Sequence, residues 1–94
     1  MLLSGDQIAI SSGTHHVIAA SVGAALRSYT VQGRQVLDGF EANEISPGGR
    51  GQVLMPWPNR IADGRYELDG HVHQLPLDEL PLGHAIHGLV RWAE

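Results

Sequence analysis

GRYELDGHVHQL, residues 64–75, carries the strongest conformational signal in the chain. Asp69-Gly70 stands between two runs of strand-like residues. A two-residue hairpin turn needs positive φ at both central positions, which Asp and Gly tolerate. In that register Leu68 faces His71 and Tyr66 faces His73. Tyr66, Leu68, His73 and Leu75 then share one face, and Arg65, Glu67, Val72 and Gln74 the other, with Val72 the one misfit. A side-chain period of two makes this assignment sensitive to a single-residue slip.

The same punctuation runs upstream. Gly5, Gly13, Gly23, Gly33 and Gly39 recur about every ten residues, followed by Gly48, Gly49 and Gly51. Turn signals at that interval suit an all-β meander or sandwich. DQIAIS (6–11) and TVQGRQVLDG (30–39) read as strands, the latter turning at Gly33. HHVIAASVGAALRSYTV (15–31) is ambiguous. Ile18, Val22, Ala25, Leu26 and Tyr29 fall at helical spacing, and on pattern alone the stretch leans to helix. Gly23 in its middle opposes that, at a cost of about 1 kcal/mol relative to Ala.

The chain has 94 residues, enough for one small domain. A chain of this size buries only about two-thirds of its unfolded surface. All-β sandwiches and barrels commonly run to roughly 200 residues, so a β chain this short is expected to be part of something larger. Apolar residues make up 43% and charged residues 17%, a globular composition. With no cysteine there is no disulfide, thiolate metal site or cysteine nucleophile. The formal charge of −4, with six basic residues that are all Arg, argues against nucleic acid. MLLSGDQIAI lacks a basic leader region, and no apolar run reaches the length of a membrane span. The expectation is a cytoplasmic protein with no membrane partner.

The chemistry concentrates in two places. In SPGGRGQVLMPWPNRIADG (46–64), read as a loop, Pro56 and Pro58 fix their own φ and push Met55 and Trp57 towards extended geometry. This stiff segment presents Asn59 and Arg60. A guanidinium offers a planar fork of donors suited to an oxyanion or to adjacent hydroxyls, and Asn59 adds a donor and an acceptor. In GHAIHGL (83–89), His84 and His87 sit between Gly83 and Gly88. The plain reading makes each a donor to nearby backbone. The functional reading uses His87 near neutrality, as a proton carrier or as a donor to an oxygen gaining charge. Between them PLDELP (76–81) reads as an extended connection with Asp78 and Glu79 solvated.

Other histidines suggest a metal. His71-x-His73, followed by Glu79, resembles the metal-binding strand of cupins, and alternate strand residues do face one way. His71 lies at the turn, however, and packing of His73 against Tyr66 and Leu75 accounts for it without a metal. His15 and His16 receive no role. No nucleophile elbow, phosphate loop or dinucleotide fingerprint is present.

GQVLMPWPNRIADGRYELDGHVHQLPLDE (51–79) followed by AIHGLVRW (85–92) resembles the N-terminal part of the aldose 1-epimerases, the galactose mutarotases. The shared order is an Asn-Arg-Ile after a Pro-aromatic segment, a Gly-x-aromatic strand, an Asp-Gly hairpin, a Leu-rich stretch ending in Glu, and a His-Gly. SVGAALRSYTVQGRQVL (21–37) matches loosely. Asp78 departs from the Asn that the family often carries there.

The resemblance implies a large antiparallel β-sandwich of the galactose mutarotase type, with residues 1–94 as the N-terminal part of one domain. It turns the ambiguous stretch 15–31 into strands. It implies interconversion of the α and β anomers of a free aldose, without metal, nucleotide or covalent intermediate. Asn59 and Arg60 match the family's substrate-binding pair, and His87 its first active-site histidine. The proton-donating histidine, a substrate-binding aspartate and the glutamate base of the family fall beyond Glu94, so these 94 residues alone are expected to be inactive. Two other readings compete: a non-enzymatic sugar-binding or self-associating β-module using Trp57, Arg60 and His87, and a cupin-like metalloprotein using His71, His73 and Glu79.

Overall fold

Antiparallel pairing through short connections organises residues 1–94, all of which the computed structural model describes. There is no α-helix, only strands and three short 3-10 turns. The contacts divide the chain into two units, Met1–Val53 with Val90–Glu94, and Leu54–Leu89.

The first unit is a four-stranded meander. Its strands β1 (Gln7–Ser12), β2 (His15–Ala20), β3 (Ala25–Val31) and β4 (Arg34–Gln35) pair in sequence order. The helical lean of residues 15–31 fails here. Val22–Ala24 form a 3-10 turn in which Gly23 takes φ 72°, a value closed to a right-handed helix. The residues that imitate a helix fall on separate elements, Ile18 on β2, Val22 in the turn and Ala25, Leu26 and Tyr29 on β3, and the stretch is strands as the family resemblance implied. The turn brings Ala20 opposite Ala25, and these two small residues with Phe40 form the buried cluster. Arg27 ties a loop to the sheet, donating to Gln7 Oε1 at 2.6 Å and to the Phe40 carbonyl at 2.8 Å.

The second unit holds the remaining strands: β5 (Arg60–Ile61), β6 (Arg65–Leu68), β7 (His71–Gln74) and β8 (Ala85–Ile86). β6 and β7 form the Asp69-Gly70 hairpin, with Tyr66 opposite His73 and Leu68 opposite His71. Asp69 and Gly70 have φ 52° and 75°, the geometry of a type I′ turn. Tyr66 and His73 stack with ring centroids 5.0 Å apart. Residues 46–64 hold more order than their sequence suggests: 3-10 turns at Pro47–Gly49 and Ala62–Gly64 flank β5 in the chain. β5 pairs with β8, placing Arg60 opposite Ile86 and Ile61 opposite Ala85.

No helix is long and apolar enough to cross a membrane.

Candidate functional site

β5 and β8 are short, but their pairing brings together residues far apart in sequence. One position beyond the ladder, Asn59 meets His87. The His87 N–H donates to the Asn59 carbonyl at 2.9 Å, and the Asn59 N–H donates to His87 Nδ1 at 3.0 Å. Both residues have positive φ, 56° at Asn59 and 61° at His87. Asn and His are among the non-glycine residues that enter this region most readily, and such conformations persist where surrounding structure holds them.

The reciprocal bonding assigns the His87 tautomer. A backbone N–H is always a donor, so Nδ1 must be bare, and the neutral ring carries its proton on Nε2. His84 repeats the arrangement, its Nδ1 accepting the Asp63 N–H at 3.0 Å, with Asp63 at φ 54°. Both imidazoles therefore accept from backbone, the reverse of the donation read from sequence. Each holds its Nε2–H as the donor that remains.

Arg60 projects from β5 into a side-on pair with Glu79. Nε donates to Oε1 at 2.6 Å and Nη2 to Oε2 at 2.8 Å. Glu79 is thus a partner and not the solvated charge expected of PLDELP. Its backbone is held as well: its N–H donates to the His84 carbonyl at 3.0 Å, and its own carbonyl accepts from Gly83 at 2.9 Å. Asp78 is also committed, with Oδ1 accepting the Ile86 N–H at 2.7 Å. An Asn side chain supplies the same oxygen, so Asp78 in place of the family's frequent Asn preserves this bond. The hydrogen-bonded Arg60 guanidinium holds the Glu79 carboxyl below its usual range. Arg60 is raised in turn by the Glu79 hydrogen bond and charge.

On the face taken by Ile61, the side chains of Pro56, Trp57, Tyr66, Leu75 and Leu89 complete an apolar recess of about 270 Å³. Trp57 Nε1 is buried there without a hydrogen-bond partner. His71, His73 and Glu79 do not converge, and no group of three His, Asp or Glu side chains is placed to hold a metal ion.

The three residues singled out from sequence thus stand together: Asn59 and His87 in contact, Arg60 one residue along. Asp63, Asp78 and Glu79 were missed as structural partners, and His84 was read as a backbone partner with the direction of its bond reversed. Nothing local marks the Arg60–Glu79 pair, which closes across 19 residues.

The sequence pattern of the aldose 1-epimerase family matches residues 6–94. YihR, an uncharacterized protein of Escherichia coli (strain K12), is 38% identical over 94 residues, 100% of this chain and 30% of the relative. Among solved structures, the galactose 1-epimerase of Lactobacillus acidophilus NCFM matches with a TM-score of 0.70 at 20% identity, over 86% of this chain and 25% of that one. A galactose mutarotase-like protein from Clostridium acetobutylicum gives a TM-score of 0.74 at 22% identity, over 90% and 28%. At that identity the structural matches speak to fold: the antiparallel all-β arrangement corresponds to a portion of a galactose mutarotase-like structure. The chain spans about 30% of the length of the curated relative.

Proposed function

Since the chain belongs to the aldose 1-epimerase family, we propose that it supplies the substrate-binding side of a site that interconverts the α and β anomers of a free aldose. Residues 1–94 form the N-terminal part of one β-sandwich domain in this reading. The observation that carries it is the reciprocal Asn59–His87 bonding one residue from the fixed Arg60 guanidinium.

Mutarotation moves protons and breaks one bond. A base takes the proton of the anomeric hydroxyl, the bond between the anomeric carbon and the ring oxygen breaks, and an acid protonates that oxygen. The open aldehyde rotates and the ring recloses on either face. What a protein must contribute is placement of donors and acceptors. Arg60 offers Nη1 to sugar oxygens while Glu79 holds its other edge. The Asn59 amide lies beside it, free of any side-chain bond in the structure. His87 presents Nε2–H to an oxygen that gains charge as the ring opens. In this reading the proton-transferring acid and base are left to other parts of the family's domain, as the resemblance implies, and Glu79 serves as the partner of Arg60.

Two measurements on the 94-residue chain test this. Titration with galactose, followed by NMR shifts at Asn59, Arg60 and His87, is expected to show binding that Arg60→Ala weakens by about tenfold. Polarimetry of freshly dissolved α-galactose is expected to show no acceleration of equilibration. Absence of binding defeats the substrate-side reading. Rapid equilibration defeats the assigned division of labour and brings His84 or Glu79 into proton transfer. Binding without activity in the longer protein too favours the second reading, a non-catalytic sugar-binding module.

A further inference from the structure

In the Arg60–Glu79 pair the carboxylate is the more sheltered partner, whereas in the Arg50–Asp38 pair it is the more exposed one. The Arg60 side chain is 46% exposed and the Glu79 side chain 16%. Glu79 is the less exposed partner and is anchored through its own backbone. Four of the other five arginines are held differently. Arg27 donates to Gln7 and to the Phe40 carbonyl, Arg65 to Gln74, and Arg91 to Gln52. Arg50 reaches Asp38 through a single 3.4 Å contact with both side chains exposed. Arg60 alone is matched edge to edge by a carboxylate.

A bare guanidinium is an anion receptor, and its fork fits phosphate as well as carboxylate. Glu79 takes the Nε–Nη2 edge, one of the edges suited to bidentate anion capture, and compensates the charge of the whole guanidinium, the Nη1–Nη2 end included. Apart from this pair, Leu54–Leu89 carries Asp63, Glu67, Asp69 and Asp78 against Arg65 alone, which does not restore a positive field. Asp63 and Asp78 are acidic, and His84 and His87 accept from backbone through Nδ1, a role open only to the uncharged ring. What Arg60 has left to offer is a fixed, charge-compensated donor, suited to a neutral hydroxyl.

We infer that Glu79 is a specificity-determining residue: by masking Arg60 it makes this site select uncharged aldoses over sugar phosphates and other anionic sugars. The inference rests on the reading of Arg60 as a substrate contact. Glu79 works through Arg60, as a positioning residue, and not by touching the sugar. Selectivity here comes from an introduced repulsion as much as from an attraction.

The test compares galactose with galactose 6-phosphate as NMR titrants of the 94-residue chain, wild type against Glu79→Gln and Glu79→Ala. Both substitutions remove the charge. Glu79→Gln also keeps an oxygen for Arg60, and the Tyr66–His73 resonances report whether the hairpin stays folded in each. In the wild type galactose is expected to bind more tightly than its phosphate. In the folded variants affinity for the phosphate is expected to rise by about tenfold, and the gain should shrink in high salt and vanish when Arg60→Ala is added. A ratio of the two affinities unchanged by removing the Glu79 charge overturns the inference. If the wild type binds neither ligand yet the variants gain phosphate binding, the mask stands and the free-aldose reading falls. If no form binds the phosphate, the mask falls whatever galactose does.

Discussion

Arg60 and Glu79 titrate against each other, and the direction of each shift agrees with the hydrogen bonds between them. The folded Glu79 carboxyl lies below its unfolded value of 4.5. A depressed carboxyl contributes stability that is fully present above the unfolded value and is lost as pH falls through the folded one. Urea unfolding of wild type and Glu79→Gln should therefore differ by a constant amount near neutrality. That difference should shrink as pH drops below 4.5. A difference that holds constant through the acid range would mean that the pair contributes nothing through charge. At this scale the sequence was legible where a residue advertises itself. Asn59-Arg60 stands behind two prolines, and His87 precedes a glycine. Glu79 was not legible, because an acidic residue in PLDELP looks the same whether it faces water or an arginine on another strand.

Hairpin and ladder differ in what their glycines must do. Gly70 has φ 75° and open space where a Cβ would go. Gly88 has the same φ, but a Cβ there would overlap the Met55 carbonyl, the acceptor of the Leu89 N–H at 2.6 Å. Gly70→Ala should cost about 1 kcal/mol, the penalty of an L-residue at positive φ. Gly88→Ala adds a backbone displacement next to His87 and should cost clearly more, about 3 kcal/mol. Equal unfolding midpoints for the two variants would contradict this. The contrast also explains what could be read in advance. The Asp69-Gly70 turn is a local preference, so its register followed from composition alone. The stretch 15–31 carried two periods at once, and only the positive φ of Gly23, held where Val53 and Ala93 pair with its backbone, decides between them. Those partners are remote in sequence, so no window around Gly23 contains the answer.

Across the whole chain the buried hydrophobic side chains are few and mostly small: Ala20, Ala25, Phe40 and Ala85. Larger apolar residues stay on the surface. Ile8 and Ile10, which share a face of β1, are 52% and 60% exposed. β1 is also an edge strand, QIAISS, without the charge, proline or bulge that commonly guards an edge. An open edge beside an uncovered apolar face is the surface on which the self-association considered from the sequence would form. Sedimentation velocity should show concentration-dependent association that Ile10→Lys reduces, since a lysine there adds the missing charge. A single monomeric species at every concentration would count against it. The three residues proposed to meet the sugar and the side chains that hold them are arranged quite differently from this surface. Asn59, Arg60, Asp63, Asp78, Glu79, His84 and His87, with the bonds that hold them, all fall within Leu54–Leu89, one of the two units. Asn59, Arg60 and His87 are therefore inherited together with the residues that hold them. Recombination between relatives with breakpoints at the two ends of that unit carries the whole set of matched partners across, whereas a breakpoint inside it separates Arg60 from its mask or Asn59 from its histidine.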